Sequence, residues 1–259
     1  MALVGECCGW DQETVLLSRW AEHRDLFPQQ PERTRFNRRR RALAPAINLL
    51  RQAIVQVLDL ADDPDCIIDS LPVPVVQFYY APGATRDWKA AGATFGHCCS
   101  KKQAIFGYQL HVLVTQSGVI RDFELAPANV TDLEVGTELL ARHWGLQVLA
   151  DKGYISRAVA AELREQAHIE LVTIPRSNQR PQPSDAFRQL HAHLRQLIET
   201  VNSQLALQFH LETNHAHTFW GLTARLYTKL TAHTLCVWIN RLLGVPNVLH
   251  IKTLAFPNN

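Results

Sequence analysis

The sequence lacks several features that would narrow its function at once. Its net charge is only +2 at pH 7 over 259 residues, so overall charge gives no argument for nucleic-acid binding. No apolar run approaches the roughly 18–20 residues of a membrane-spanning helix. The N-terminus has no basic start followed by a long apolar core, which excludes a secretory signal peptide. We therefore expect a protein without a membrane partner.

Cysteine and histidine are poorly arranged for cross-links or zinc. The cysteines form two adjacent pairs and no C-x-x-C motif, which disfavours a disulfide or zinc framework. Residues two apart on a helix diverge by about 200°, so His191 and His193 cannot readily share an ion. We expect reduced thiols and no zinc site.

Apolar residues make up 47% of the chain and charged residues 19%, which is enough to fill a core. Charge is concentrated locally: the segment RTRFNRRRR at 33–41 is basic and DLADDPD at 59–65 is acidic. Residues 1–60 have helical spacing, around Leu16, Leu17 and Trp20 and again over 42–60, with a break at 27–32.

From residue 66 onward strands precede and then alternate with helices. Strands are predicted at 66–78, 106–116, 119–127, 146–150 and 169–175, and helices at 129–144, 155–167, 186–209 and 219–243. Thr131 and Glu134 have the spacing of a helix capping box. The first strand is expected to leave the sheet at Leu71-Pro72, and 79–103 and 176–185 are expected to be loops. This order predicts an α/β fold in which a hairpin leads into parallel β-α-β units.

Three carboxylates stand out in this order. Asp151 follows the strand 146–150, and Asp69 lies in the first strand, which can be its neighbour. An ionised carboxylate there costs several kcal/mol unless it is paired or bound to metal, and oxygen ligands suit Mg²⁺ or Mn²⁺. Glu199 lies on the long helix, away from its apolar stripe and one turn after Arg195.

Each of these acids also has an ordinary structural interpretation. Asp151 is a candidate turn or N-cap residue before the next helix. Asp69 is a candidate hydrogen-bond acceptor for Ser70 or a backbone amide. Glu199 is suited to a surface ion pair with Arg195. Their joint placement on two strands and a helix favours a shared site.

Several motifs in order resemble the Asp-Asp-Glu (DDE) transposases of bacterial insertion sequences, and most closely the insertion-sequence nine-eighty-two family. They are FNRRRRAL, IIDSLPVP, SKKQAIFGYQLHVLVTQSGVIRDFELAPANVTD, LADKGYIS, LRQLIETVNSQL and FWGLTARLYTKLTAHTL, within residues 27–243. The resemblance implies a ribonuclease-H-like mixed sheet flanked by helices. It also implies that Asp69, Asp151 and Glu199 are catalytic and hold two Mg²⁺ or Mn²⁺ ions, with Arg195 in support. Of the related Tyr-x2-Arg-x3-Glu-x6-Lys signature, Arg195 and Glu199 are present, whereas Ala192 and Ala206 replace the tyrosine and lysine.

The resemblance implies metal-dependent DNA cleavage and strand transfer, with insertion-sequence ends and target DNA as partners. The expected domains are a helical DNA-binding region at 1–64, which is shorter than the family's, a catalytic domain at 65–243 and a tail at 244–259. We expect DNA contacts from basic side chains, a homodimer when active, and a location in the bacterial cytoplasm at the nucleoid. The expected DNA-binding residues are Arg38, Arg39, Arg40, Arg41, Lys101, Lys102, Arg176 and Arg180. The alternatives are a truncated relic that only binds DNA and a ribonuclease-H-like nuclease without joining activity.

Overall fold

The computed structural model describes residues 1–58, 60, 63–98, 103–154, 156–172 and 184–255, without the side chains of residues 98, 152 and 255. The strands are β1 (Asp65–Val76), β2 (Thr94–Cys98), β3 (Gln103–Thr115), β4 (Ile120–Pro127), β5 (Gln147–Ala150) and β6 (Glu170–Val172). The helices are α1 (Ala2–Cys7), α2 (Glu13–Ala21), α3 (Arg33–Ala42), α4 (Ala44–Val57), α5 (Arg86–Ala90), α6 (Asp132–Leu140), α7 (Arg157–Ala167), α8 (Asp185–Ser203), α9 (Phe219–Leu242) and α10 (Lys252–Ala255). None of the helices described is long and apolar enough to span a membrane.

The strands form one mixed sheet in the order β2-β3-β1-β5-β6, with β4 paired to β3. β3 and β4 form the predicted hairpin, which turns at Ser117-Gly118, and β3 also pairs antiparallel with β1. β1, β5 and β6 run parallel, as the β-α-β order predicts. The predicted α/β class, a ribonuclease-H-like mixed sheet flanked by helices, is confirmed.

The prediction that β1 leaves the sheet at Leu71-Pro72 is wrong. β1 stays in register with β3 through Pro72 and Pro74, and the register shifts only between Pro74 and Val76. β5 pairs with β1 only from Asp65 to Ile68, so beyond that point β1 needs hydrogen bonds to β3 alone. Proline is tolerated in such a stretch because its missing N–H can face the side without a paired strand.

The prediction of a loop over 79–103 is also wrong for most of that segment. A 3-10 helix runs from Phe78 to Gly83, and α5 and β2 follow. Trp88 on α5 is buried with its ring against Tyr108 of β3, and this contact holds α5 on the sheet. Elements this short contain too few turns for hydrophobic spacing to show, so long-range packing decides them.

The two faces of the sheet carry separate apolar layers. On one face Ile67, Leu71 and Val73 pack with residues of α4, α8 and α9. On the other face Cys66 and Ile68 pack with α6 and α7. Since side chains alternate along a strand, Asp69 is on the face that α8 covers.

Candidate active site

Asp69 and Asp151 lie side by side at the edge where β1 and β5 part. The parallel pairing of these strands ends with Ile68 opposite Ala150; Asp69 is the next residue of β1, and Asp151 directly follows β5. The charge of Asp151 raises the pKa of Asp69, so the two carboxylates interact electrostatically. The predicted convergence of the first two acids is what this topology produces.

Both oxygens of Asp69 accept hydrogen bonds. The backbone N–H of Ser70 donates to Oδ1 at 2.8 Å, and Nδ2 of Asn202 on α8 donates to Oδ2 at 2.9 Å. Burial, followed by the charges of Asp132 and Asp151, raises the pKa of Asp69 to about 6, although the two donors oppose the shift. The carboxylate is thus held in place in a site that disfavours its negative charge.

Asp132 is a third carboxylate at this site that sequence reasoning missed. It is the first residue of α6, directly after the N-cap Thr131, whose hydroxyl accepts from the backbone N–H of Glu134. A Cβ on Gly153 would lie 2.8 Å from Oδ2 of Asp132, so a larger residue in the turn after β5 would displace this carboxylate. The capping box was visible in sequence, but it pointed to helix initiation rather than to the acid within it.

A buried His111–Tyr154 pair lies next to Asp132 and supports the acidic site. Nδ1 of His111 lies 2.8 Å from the Tyr154 hydroxyl and 4.0 Å from Oδ1 of Asp132. Burial lowers the pKa of His111 to about 4, so the imidazole is neutral near pH 7. A Cβ on Gly136 would lie 2.6 Å from Cδ1 of Tyr154, because α6 packs directly on the tyrosine ring. Together these contacts fix the turn that follows Asp151.

In the described residues, no hydrogen bond joins Glu199 to Asp69. Its side chain is 66% exposed, and Oε1 accepts from Nε of Arg195 at 3.1 Å. This is the surface ion pair that the sequence offered as an alternative. The residue of α8 that contacts Asp69 is Asn202, which lies three positions further along the same helix. The catalytic role of Glu199 therefore stays a prediction.

The two adjoining aspartates fit a divalent cation in their donor chemistry. They supply carboxylate oxygens. Burial first, and neighbouring carboxylates second, raise the pKa of Asp69 and of Asp132, and a bound cation would offset both causes by stabilising the ionised forms. In the ranges that the structure describes, no three His, Cys, Asp or Glu side chains form a group that could hold a metal. A third protein ligand would thus need a change in side-chain position.

The arginines of α3 do not share one environment. Arg38, Arg39 and Arg41 are exposed, whereas Arg40 is 5% exposed and its Nη2 lies 2.5 Å from Oε1 of the buried Glu6. We therefore keep the DNA-contact hypothesis for the three exposed arginines and assign Arg40 to the core. The other predicted contacts, Lys101, Lys102, Arg176 and Arg180, lie outside the described residues.

Comparison with known proteins identifies the domain that contains these acids. A family model described as "Transposase DDE domain" matches residues 61–235, which is more than half of the chain. No curated protein and no solved structure matches the chain. A transposase domain implies DNA as a partner, and transposases of this kind generally use divalent metal ions. The matched segment carries Asp69, Asp132, Asp151 and Glu199, and the chain belongs to the DDE transposase family.

Proposed function

We propose that this protein cleaves DNA at the ends of an insertion sequence and joins those ends to target DNA, as a member of the insertion-sequence nine-eighty-two family. The observation that carries the proposal is the adjacency of Asp69 and Asp151 at the point where the parallel pairing of β1 and β5 ends, within the matched transposase domain. Chemistry in open α/β sheets collects at such strand ends.

Asp69 and Asp151 would hold Mg²⁺ or Mn²⁺, and two such ions would activate the attacking water or DNA 3′-hydroxyl and stabilise the leaving oxygen. The chain's own contribution is to position the carboxylates. Ser70 and Asn202 orient both oxygens of Asp69, so its geometry is set before DNA binds. The His111–Tyr154 pair keeps the turn after Asp151 in place.

Glu199 would complete the acidic set after it leaves Arg195. The two residues form an exposed i, i+4 pair, and such pairs contribute only about 0.3–0.5 kcal/mol, so exchange of partners is inexpensive. Arg195, once released, would offer its guanidinium to a DNA phosphate, for which its planar donors are well suited.

The wider assignments belong to the same proposal. Residues 1–64 would form a helical DNA-binding region, 65–243 the catalytic domain and 244–259 a tail. The active form would be a homodimer at the nucleoid of a bacterial cell. Its DNA partners would be the ends of the insertion sequence and the target.

The test is a cleavage and strand-transfer assay on labelled duplexes that contain the DNA flanking the coding segment. We expect nicking with Mg²⁺ or Mn²⁺, followed by joined products. Asp69→Asn, Asp151→Asn and Glu199→Gln should each reduce nicking at least about a hundredfold, because each removes a charge needed in the transition state. Glu162→Gln is the matched control, since Glu162 is another exposed helical glutamate with an i, i+4 partner, Gln166.

The outcomes separate the alternatives. Nicking without joined products would identify a nuclease without transfer activity. DNA binding without nicking by the unmodified chain would identify a relic. Full nicking by Asp69→Asn would remove the catalytic assignment, and full nicking by Glu199→Gln would remove the third acid alone.

A further inference from the structure

One side of α4 carries an apolar stripe that is exposed to solvent in the described structure. The stripe consists of Leu43, at the start of the helix, and then Ala46, Leu50, Ala53 and Val57. Leu43, Leu50 and Val57 are 55%, 44% and 67% exposed, and both alanines are exposed as well. Leu49 flanks the stripe with 64% of its surface exposed. Single exposed apolar residues are ordinary, but a continuous row along a helix indicates a contact surface.

The spacing of the stripe is that of a helix–helix seam. Its members are separated alternately by three and four residues, which is the a/d spacing that places knobs into the holes of a facing helix. Large residues occupy one set of positions (Leu43, Leu50 and Val57), and alanine occupies the other (Ala46 and Ala53). A seam of this kind packs best when large residues face small ones.

Hydrogen bonds to the rest of the fold hold α4, and with it the stripe, in place. Thr231 of α9 donates to the carbonyl of Ile47 at 3.1 Å, and Arg241 donates to the carbonyl of Leu58 at 2.9 Å. Arg51 is buried and donates to the carbonyl of Ile120 at 3.1 Å. Because α4 is fixed at its start, middle and end, a partner meets a preorganised surface, which lowers the entropy lost on binding.

Charge favours a second copy of this chain as the partner. Arg51 is the one charged residue in the sequence of α4, and it points into the core, so two α4 helices can meet without like-charge repulsion. The basic residues of α3 precede α4, and the acidic segment 59–65 follows it. Among described residues, the exposed Arg39 and Arg41 precede α4 and the carboxylates of Asp63 and Asp65 follow it. An antiparallel pair would bring these opposite charges together, whereas a parallel pair would bring like charges together.

We propose that α4 forms a two-fold antiparallel seam between two copies of this chain, with large residues of one copy facing alanines of the other. The antiparallel direction follows from both observations: it pairs Leu50 with an alanine and basic ends with acidic ends, whereas a parallel pair would place alanine on alanine. The seam is only two heptads long, so we expect a weak dimer. The proposal names the surface of the homodimer proposed above, and it is tested without DNA or metal, so its failure leaves the cleavage proposal intact.

The test is sedimentation equilibrium of the full chain from about 1 to about 200 μM, a range that covers weak self-association. The unmodified chain should dimerise. Leu50→Glu and Ala53→Glu should each raise the dimer dissociation constant at least about tenfold, because each places a charge in an apolar seam. Gln52→Glu adds the same charge to an exposed position on a different side of α4 and should leave dimerisation unchanged. Thermal unfolding checks that every variant folds.

A mixing experiment tests the direction of the pair. Leu50→Glu mixed with Ala46→Lys or Ala53→Lys should form a heterodimer in one of the two mixtures, because antiparallel pairing sets position 50 against 46 or 53 of the other copy. A monomeric unmodified chain at all concentrations, or a dimer unaffected by Leu50→Glu and Ala53→Glu, would overturn the α4 interface. Two monomeric mixtures would overturn the antiparallel arrangement.

Discussion

Asp69 sits in an environment that disfavours its ionised form. Burial is the largest cause and the charges of Asp132 and Asp151 add to it, so its pKa rises from 3.8 to about 6. A carboxyl group with a raised pKa binds its proton more tightly in the folded state than in the unfolded chain. Its contribution to folding stability is therefore greatest at low pH and is lost as the pH rises toward 6. Above that pH the fold carries the cost of an ionised Asp69.

Asp69→Asn should consequently stabilise the metal-free protein while it abolishes cleavage. Near pH 7.5 we expect a gain of about 1–3 kcal/mol in the free energy of unfolding, and near pH 4 almost none. Urea unfolding at both pH values, without divalent ions, measures the effect. Asp185→Asn is the control, because Asp185 is exposed on α8 and pairs with Arg188 at the surface. Equal gains at both pH values would contradict the electrostatic explanation.

At the scale of elements, a buried ion cluster joins the N-terminal helices to α9. Glu6 of α1 accepts from Lys229 of α9 at 2.6 Å and from Arg40 of α3 at 2.5 Å. Both glutamate oxygens are used, and the three side chains are almost fully buried. The two cations share one carboxylate, so their burial depends on the negative charge of Glu6.

Glu6→Gln should destabilise the fold by about 3–5 kcal/mol, because it leaves two buried cations facing a neutral amide. Denaturant unfolding measures the loss. Glu22→Gln is the matched control: Glu22 pairs with Arg19 at the surface, where both side chains are more than half exposed, and we expect a change within about 0.5 kcal/mol. If both variants lost the same stability, the cluster would not join the helices.

At the scale of the whole molecule, DNA binding depends more on where the charged residues lie than on the net charge. The net charge of +2 hides the basic surface of α3, where Arg38, Arg39 and Arg41 are exposed. Each phosphate contact adds about 0.9 to the slope of log binding constant against log salt for duplex DNA. DNA binding should accordingly weaken steeply as salt rises.

Replacing Arg38, Arg39 or Arg41 by alanine should flatten that slope by about 0.9 for each residue that contacts a phosphate. Fluorescence anisotropy of a labelled duplex over a range of NaCl concentrations gives the slope. Arg40→Ala should instead lower folding stability, because Arg40 is bonded to Glu6 in the core. Arg24→Ala removes an exposed arginine outside α3 and should leave the slope unchanged. Slopes unaffected by all three exposed positions would exclude α3 from the DNA interface.

The sequence predicted the elements whose signals are local. The β3–β4 hairpin has two strand-like runs around Ser117-Gly118, and α6 begins where Thr131 and Glu134 predict a cap. The sequence also allowed β1 and β5 to be neighbours, but three strands separate them along the chain, and their parallel pairing is a finding of the structure. Hydrogen bonds within a few residues are enough to determine the hairpin and the start of α6.

Tertiary packing alone decided the rest. Four consecutive arginines look alike in sequence, but the rotation of α3 against α1 and α9 buries Arg40 and leaves its neighbours in solvent. Likewise, the helical spacing of α8 does not reveal that Asn202, rather than Glu199, reaches Asp69. The reason is physical: the sequence determines the period of a helix and the alternation of a strand, whereas the angle at which one element faces another is set by contacts between residues far apart in the chain.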